Sequence, residues 1–409
     1  MVAYPLEWET ITLEKLGRCY GGLSGKSSAD FEQGDSLYIP FLNVLRNIKI
    51  DLGQLEKVKI TPNERQNAVM NGDLFFNTSS ETPEEVGMCA VMLEDIENVY
   101  LNSFCFGFRL YDKHKLFPLF ASYYFNSVYG RQLMALHAQG STRYNLSKKN
   151  FMKIEIYIPP YVEQQAIAFA LSDFDEHIDN LTKLIEKKKA IREGALKELI
   201  SGKSRVDGFD GDWKEATIDS ITKTMITGGT PSTLVDEYWG GDIPWLSSTE
   251  IHQKMITKAT KNITDSGLNN SSAKIAPQNS VLIALAGQGK TRGTAGFLGF
   301  PMALNQSLAA LVPSEETDPK FLFYLIESMY QELREVSSGD GGRGGLNKRL
   351  IRSIAVNVPI EKAEQEAIGQ ILTSMDEEIE ALEIEKEKTI QIREGAMDDF
   401  LTGRVRLKI

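Results

Sequence analysis

The stretch Glu163–Val206, EQQAIAFALSDFDEHIDNLTKLIEKKKAIREGALKELISGKSRV, is written a second time 201 residues later as Glu364–Leu407, EQEAIGQILTSMDEEIEALEIEKEKTIQIREGAMDDFLTGRVRL. Aligned without a gap, 18 of the 44 positions are identical, among them the run Ile191-Arg192-Glu193-Gly194-Ala195 against Ile392-Arg393-Glu394-Gly395-Ala396. An ungapped match of that length marks a tandem duplication, so the chain does something twice. Ile167, Leu171, Phe174, Ile178, Leu181 and Ile185 step by four and three, the seam of a long amphipathic helix, and Ile368, Leu372, Met375, Ile379 and Leu382 repeat it. Pro159-Pro160 and Pro359 stand before the two helices, and Gly202 and Gly403 punctuate their ends. A helix of roughly 38 residues is a rod on the order of 57 Å long. Alone it cannot bury its seam. The two copies are therefore expected to pair as an antiparallel coiled coil with pseudo-twofold symmetry; the competing reading lays each helix on its own domain.

Outward from the helices the copies diverge. Glu7-Trp8 matches Asp212-Trp213, Ile39-Pro40-Phe41-Leu42 is echoed by Ile243-Pro244-Trp245-Leu246, Asp73–Phe76 parallels Ser280–Ile283, and Asn102 parallels Asn305. Short β-branched runs (Val58–Ile60, Ile154–Ile158, Ile354–Val358) between Gly, Asn and Ser predict mixed α+β globules of about 150 residues. The expected organisation is a globule over 1–158, a helix over 159–205, a second globule over 206–358 and a second helix over 359–409. Helices that keep their sequence share a task, and globules that change theirs differ in what they read.

Composition is ordinary for a folded protein, with 42% apolar and 25% charged residues in 409. No apolar run is long enough to span a membrane, and the beginning MVAYPLEWET has no signal pattern, so a cytoplasmic chain without a membrane is expected. Cys19, Cys89 and Cys105 are expected reduced and buried, and His114, His137, His177 and His252 show no metal-ligand spacing. The net charge of −11 argues at first against nucleic acid, but residues 361–409 alone hold 13 acidic and 7 basic groups. The globules are close to neutral and free to carry local basic patches.

Enzymatic near-motifs fail on inspection. Ala284–Thr291 (ALAGQGKT) follows an apolar strand like a P-loop, yet Ala284 replaces its first glycine and no helix follows. Ile158-Pro159-Pro160-Tyr161 lacks the amide or acid of an amino-methyltransferase motif, and a helix-entry proline pair explains it better. No nucleophile signature exists, and no cofactor or metal is expected. A different pattern recurs before each helix: Arg143-Tyr144-Asn145-Leu146-Ser147-Lys148-Lys149 and Arg343-Gly344-Gly345-Leu346-Asn347-Lys348-Arg349. Arg and Lys on loops with small residues suit phosphate approach and base-edge contact; the bland reading has Leu anchoring a strand and solvated cations. Lys290 and Arg292 in a Gly-rich loop, and Thr230 and Ser232 in TGGTPS, complete the candidate DNA contacts. Lys26-Ser27-Ser28 and Asn77–Ser80 fill similar places in the first globule.

With these residues in view, the chain resembles the specificity subunits of type I restriction–modification enzymes. The likeness rests on GGTPS, EYWGGDIPWLSSTEI, ALNQSLAAL and GLNKRLIRSIAVNVPIEKAEQEAIGQILTSMDEEIE in the second half. It rests more loosely on IPFLNV, GDLFFNTSS and NLSKKNFMKIEIYIPPYVEQQAI in the first, which lacks the GGTPS and WGGDIPW elements. The resemblance implies two target recognition domains, each reading one half of a bipartite site in double-stranded DNA, and helices that set the spacing. It also implies two methyltransferase (modification) subunits bound by the helices, optionally restriction subunits, and no chemistry in the chain itself. The rival reading is a duplicated coiled-coil scaffold whose globules bind proteins.

Overall fold

A computed structural model describes residues 4–287, 290–338 and 346–407. The chain divides into two compact units: residues 1–182 with 384–409, and residues 183–383. Both long helices are continuous, Tyr161–Ile200 and Lys362–Leu401, each 40 residues. Each unit is built on the front half of one helix and the back half of the other.

In the first unit, Ile167, Ala168 and Leu171 share a core with Met397 and Leu401; in the second, Leu196 and Ile200 share one with Ile368 and Leu372. Each fully buried side chain of this size contributes about 1.5–3 kcal/mol. The direction is antiparallel within each unit: Arg393 Nε meets Asp175 Oδ1 at 2.9 Å in the first, and Arg192 Nη2 meets Asp376 Oδ2 at 2.9 Å in the second. Tyr123 and Tyr324 donate their hydroxyls to those same two aspartates, at 2.6 and 2.9 Å. The repeated pentamer thus has a physical reason, because the Arg of each copy crosses to the Asp of the other helix. That is the self-complementary logic of a twofold interface. The seam expected from sequence and the pairing of the two helices are both present, which removes the reading of two independent helices.

The helix ends repeat the logic. Glu364 is buried and accepts from Arg205 Nε at 2.7 Å; Glu163 is buried and accepts from Arg406 Nη2 at 2.7 Å. The Arg that follows one helix therefore neutralises the Glu that opens the other. Gln164 and Gln365 each donate to the proline carbonyl ahead of their helix, Pro159 at 2.9 Å and Pro359 at 3.0 Å. They also accept from Phe117 N and Asp318 N, tying each globule to its helix. Gly202 and Gly403 close the helices with φ of +70° and +71°, a left-handed conformation that glycine takes without strain.

The two globules share one plan. In the first, strands run in the order Gly17–Gly21, Cys105–Leu110, Leu74–Asn77, Cys89–Val91, beside a sheet of Glu56–Val58, Phe31–Ile39 and Val99–Leu101. In the second the order is Thr222–Thr227, Leu308–Pro313, Val281–Ala284, Ala295–Leu298, Met255–Ile256, beside Lys261–Ile263, Trp239–Leu246, Met302–Leu304 and Lys274–Ala276. A terminal antiparallel pair leads into each long helix: Glu9–Thr12 with Glu155–Ile158, and Trp213–Thr217 with Ala355–Pro359. A mixed α+β architecture with internal duplication is what the spacing predicted.

One predicted correspondence is wrong in register. Ile39 pairs with Leu101, and it is Leu246 that pairs with Leu304, so Ile39 matches Leu246 and not Ile243. The shared Ile-Pro dipeptide is coincidental: Ile39 ends its strand, whereas Ile243-Pro244 lie inside theirs. The same register gives the first globule a structural counterpart of the WGGDIPW strand, although its sequence lacks that motif. Phe31–Ile39 carries a bulge between Phe31 and Ser36, as Trp239–Leu246 does between Trp239 and Ile243. Across each bulge two aromatic rings meet edge to face, Phe31–Tyr38 at 5.1 Å and Trp239–Trp245 at 5.2 Å.

Cys89 and Cys105 are buried and free, as expected, while Cys19 is half-buried. Burial pushes its thiol up to about 12, so it stays protonated near neutral pH.

Candidate nucleic-acid interface

The Gly-Gly turn of TGGTPS is set by packing. A Cβ on Gly228 would lie 1.7 Å from the Leu304 carbonyl oxygen, and Gly229 N donates to that oxygen at 2.9 Å. The first globule makes the same turn with Gly21-Gly22-Leu23: a Cβ on Gly22 would lie 1.9 Å from the Asn102 oxygen, and Leu23 N donates to Leu101 O at 2.7 Å. Gly228→Ala is therefore expected to cost about 3 kcal/mol, read as a lower denaturant midpoint. Thr230 and Ser232 sit exposed just past the turn, with Thr230 Oγ1 donating to Gln306 Oε1 at 2.7 Å.

Asn102 and Asn305 mark the next shared turn. Each is buried, and each side-chain oxygen accepts from the backbone two residues on, Phe104 N at 2.9 Å and Ser307 N at 3.1 Å. Position 104 of the first globule thus matches 307 of the second.

The basic pattern before each helix resolves into an anchor, a cap and a presented pair. Leu146 and Leu346 are buried. Ser147 Oγ accepts from Asn150 N at 3.1 Å, and Asn347 Oδ1 accepts from Leu350 N at 3.0 Å, each capping a short helix, Lys148–Phe151 or Lys348–Arg352. Capping satisfies an amide that the first helical turn would otherwise leave unbonded. Lys148, Lys149 and Arg349 are exposed and Lys348 is half-buried, and none of them forms an ion pair among the described residues. Arg143 is exposed in the same loop, while Arg343 lies outside the described residues. The leucine anchor belongs to the bland reading, and exposed cations are common to the bland and the functional one.

Other candidates are placed less favourably. Lys290 is exposed, but Arg292 is half-buried, and Gln288 and Gly289 beside them lie outside the described residues. Lys26 is committed elsewhere: its ammonium bonds the Lys59 carbonyl and pairs with Glu64 at 2.5 Å. That bond from Lys26 holds the Glu64 carboxyl down to about 2, so the cation is neutralised locally. Asn77 is buried, with its amide donating to Glu85 O at 2.9 Å, and serves the fold. Sequence reading missed Gly21-Gly22 and Phe104; the doubled glycine was the available signal for the first, and nothing in the local sequence singled out the second.

Around Lys148 the first unit brings several loops together. A Cβ on Gly21 would sit 3.3 Å from Lys148 Nζ, and Gly22 packs on Asn102. Thr78 N and Oγ1 donate to the Phe104 carbonyl at 3.0 and 2.9 Å, and Thr78 O accepts from Leu146 N at 2.8 Å. One of these loops carries the exposed Arg143, Asn145, Lys148 and Lys149, residue types suited to phosphates and base edges. Among the described residues no helix is long and apolar enough to cross a membrane, and no cluster of His, Cys, Asp and Glu is arranged to hold a metal ion.

A family model, the type I restriction modification DNA specificity domain, matches residues 5–190 and again 210–392. The chain is 23% identical over 420 residues to a putative type I restriction enzyme specificity subunit, MjaX, of Methanocaldococcus jannaschii, covering 99% of this chain and 95% of the relative. It is 29% identical over 169 residues to the EcoR124I/EcoR124II specificity subunit of Escherichia coli, covering 40% of this chain and 41% of that one. Among solved structures, the type I restriction–modification S subunit of M. genitalium shares the fold with a TM-score of 0.61 at 17% identity, over 100% of this chain and 98% of that one. The HsdS subunit of Thermoanaerobacter tengcongensis gives 0.52 at 16% identity, over 98% of both.

Proposed function

The chain belongs to the type I restriction modification DNA specificity family, and from that membership we propose that it selects the DNA sequence on which a methyltransferase complex acts. Each globule reads one half of a bipartite site in double-stranded DNA. The long helices set the spacing of the halves and bind two methyltransferase subunits, with restriction subunits as optional partners. The chain carries no catalytic role; its partners supply the chemistry in the cytoplasm. The observation that supports this reading is the repeated anchor–cap–cation element, Leu146-Ser147-Lys148-Lys149 and Leu346-Asn347-Lys348-Arg349, on globules whose other loops differ. Phosphate contacts of one kind orient both globules, and differing side chains read different bases.

Sequencing for N6-methyladenine in DNA from cells expressing the chain with its methyltransferase partner tests the proposal. A gapped two-part motif, present only when this chain is expressed, is expected. A stable complex without new methylation would favour the protein-binding scaffold. Replacing Lys148 and Lys149 together by alanine should weaken DNA binding without changing the motif. The slope of log affinity against log salt should fall by roughly one to two, about 0.9 for each phosphate that the variant no longer neutralises.

A further inference from the structure

The first unit holds an aromatic groove beside an exposed phenylalanine, Phe104. Phe31, Tyr38, Phe41 and Phe104 line a cavity of about 600 Å³, with the carboxylate of Glu56 at its wall accepting from the Tyr38 hydroxyl. Phe104 is 61% exposed and Phe41 stands edge-on to it at 6.5 Å, with Leu42 exposed beside them. The turn beneath Phe104 is held from three sides, by Asn102 Oδ1 accepting from its N–H and by two donors from Thr78 on its carbonyl. An exposed phenylalanine on a rigid turn forgoes burial, and a contiguous apolar patch of this kind marks a binding surface. In the second globule the matching residue is Ser307.

Continuity decides the occupant. Phe104 follows Asn102, which packs on Gly22, whose neighbour Gly21 lies against Lys148 Nζ. Thr78, bonded both to the Phe104 carbonyl and to Leu146 N, ties the groove's rim to the segment that carries Lys148 and Lys149, the cations that would hold a phosphate backbone. Aromatic walls at that position fit the π-face of a base, and a carboxylate accepts from an exocyclic amino group. Building on the DNA-reading function, we propose that this groove receives one unstacked, amino-bearing base, adenine or cytosine, of the half-site read by the first globule. Phe104 stacks on it and Glu56 selects the amino group. The second globule, with serine in that place, reads its half-site without extruding a base.

The test uses the full complex with its methyltransferase subunit and a duplex carrying the motif established by methylation sequencing. Each position of the first half-site other than the methylated adenine is probed through its partner base, with permanganate for a thymine left unpaired and kethoxal for a guanine left unpaired. Reactivity should rise at one partner base with the natural chain and return to the free-duplex level with Phe104→Ser. That variant should bind about tenfold more weakly, and Phe104→Trp should restore both readouts. Glu56→Gln should relax the preference for an amino-bearing base at that position. Reactivity that stays low everywhere, or that Phe104→Ser leaves unchanged, overturns the groove while the DNA-reading function stands. Loss of methyltransferase association without DNA in Phe104→Ser, with base preference intact, overturns it in favour of a protein occupant. Absence of any gapped methylated motif overturns both.

Discussion

Replacing Arg192 by alanine should destabilise the unit 183–383 by about 3 kcal/mol. The Arg192 side chain is 10% exposed and reaches two carboxylates, Glu327 and Asp376, with its guanidinium 5.4 Å from the Tyr324 ring centroid. Removing it leaves two largely buried negative charges facing each other. Lys254, whose ammonium stands 2.9 Å from Glu327 and 3.8 Å from Asp376, compensates in part and keeps the destabilisation at the lower end of what broken buried pairs show. Arg393→Ala is expected to cost less, about 1 kcal/mol, because Arg393 faces a single carboxylate, Asp175, and is itself 21% exposed against 10% for Arg192. Urea unfolding followed by tryptophan fluorescence separates the two variants, since Trp213, Trp239 and Trp245 report on one unit and Trp8 on the other. Arg192→Met combined with Glu327→Gln and Asp376→Asn should recover most of the stability; failure to recover would mean that packing of the arginine, not its charge, holds the site.

Phe151→Ala should cost the first unit about 3–5 kcal/mol and silence one half of the recognised site. Phe151 is fully buried, with the rings of Phe76, Phe106 and Phe108 at 4.6, 5.1 and 5.3 Å. It ends the short helix that begins with Lys148 and Lys149, so the cavity left by its removal lies directly under the presented cations. The expected result is a lower unfolding midpoint for the Trp8-containing unit. DNA binding should remain sensitive to the second half-site and lose discrimination at the first. Unaltered discrimination at both halves would show that the Lys148–Lys149 element does not position the first globule.

Much of the plan was legible because the chain contains its own comparison. The seam from Ile167 to Ile185, the prolines ahead of each helix and the closing glycines are local signals, and they place both helices within a few residues. The anchor–cap–cation element was also local: a leucine, a capping Ser or Asn and two cations at fixed spacing. The globules were harder to read, because their shared turns are held by backbone contacts that many residues satisfy. Gly228 packs on Leu304 O and Gly22 on Asn102 O, one residue further along the matching strand, yet beyond the glycine pair TGGTPS and YGGLSG share no residue. Conversely, Ile39-Pro40 and Ile243-Pro244 align by identity and occupy different positions in their strands.

By itself the sequence determined the duplication, the two long amphipathic helices and the presence of paired basic elements, since periodicity and repetition are properties of neighbours along the chain. Only the tertiary structure decided which charges are spent and which are presented. Lys26 is consumed by Glu64, and Arg192 by carboxylates 135 and 184 residues away. Lys148, Lys149 and Phe104 remain exposed. The reason is that a side chain's availability depends on partners distant in sequence, and folding alone brings those partners within reach.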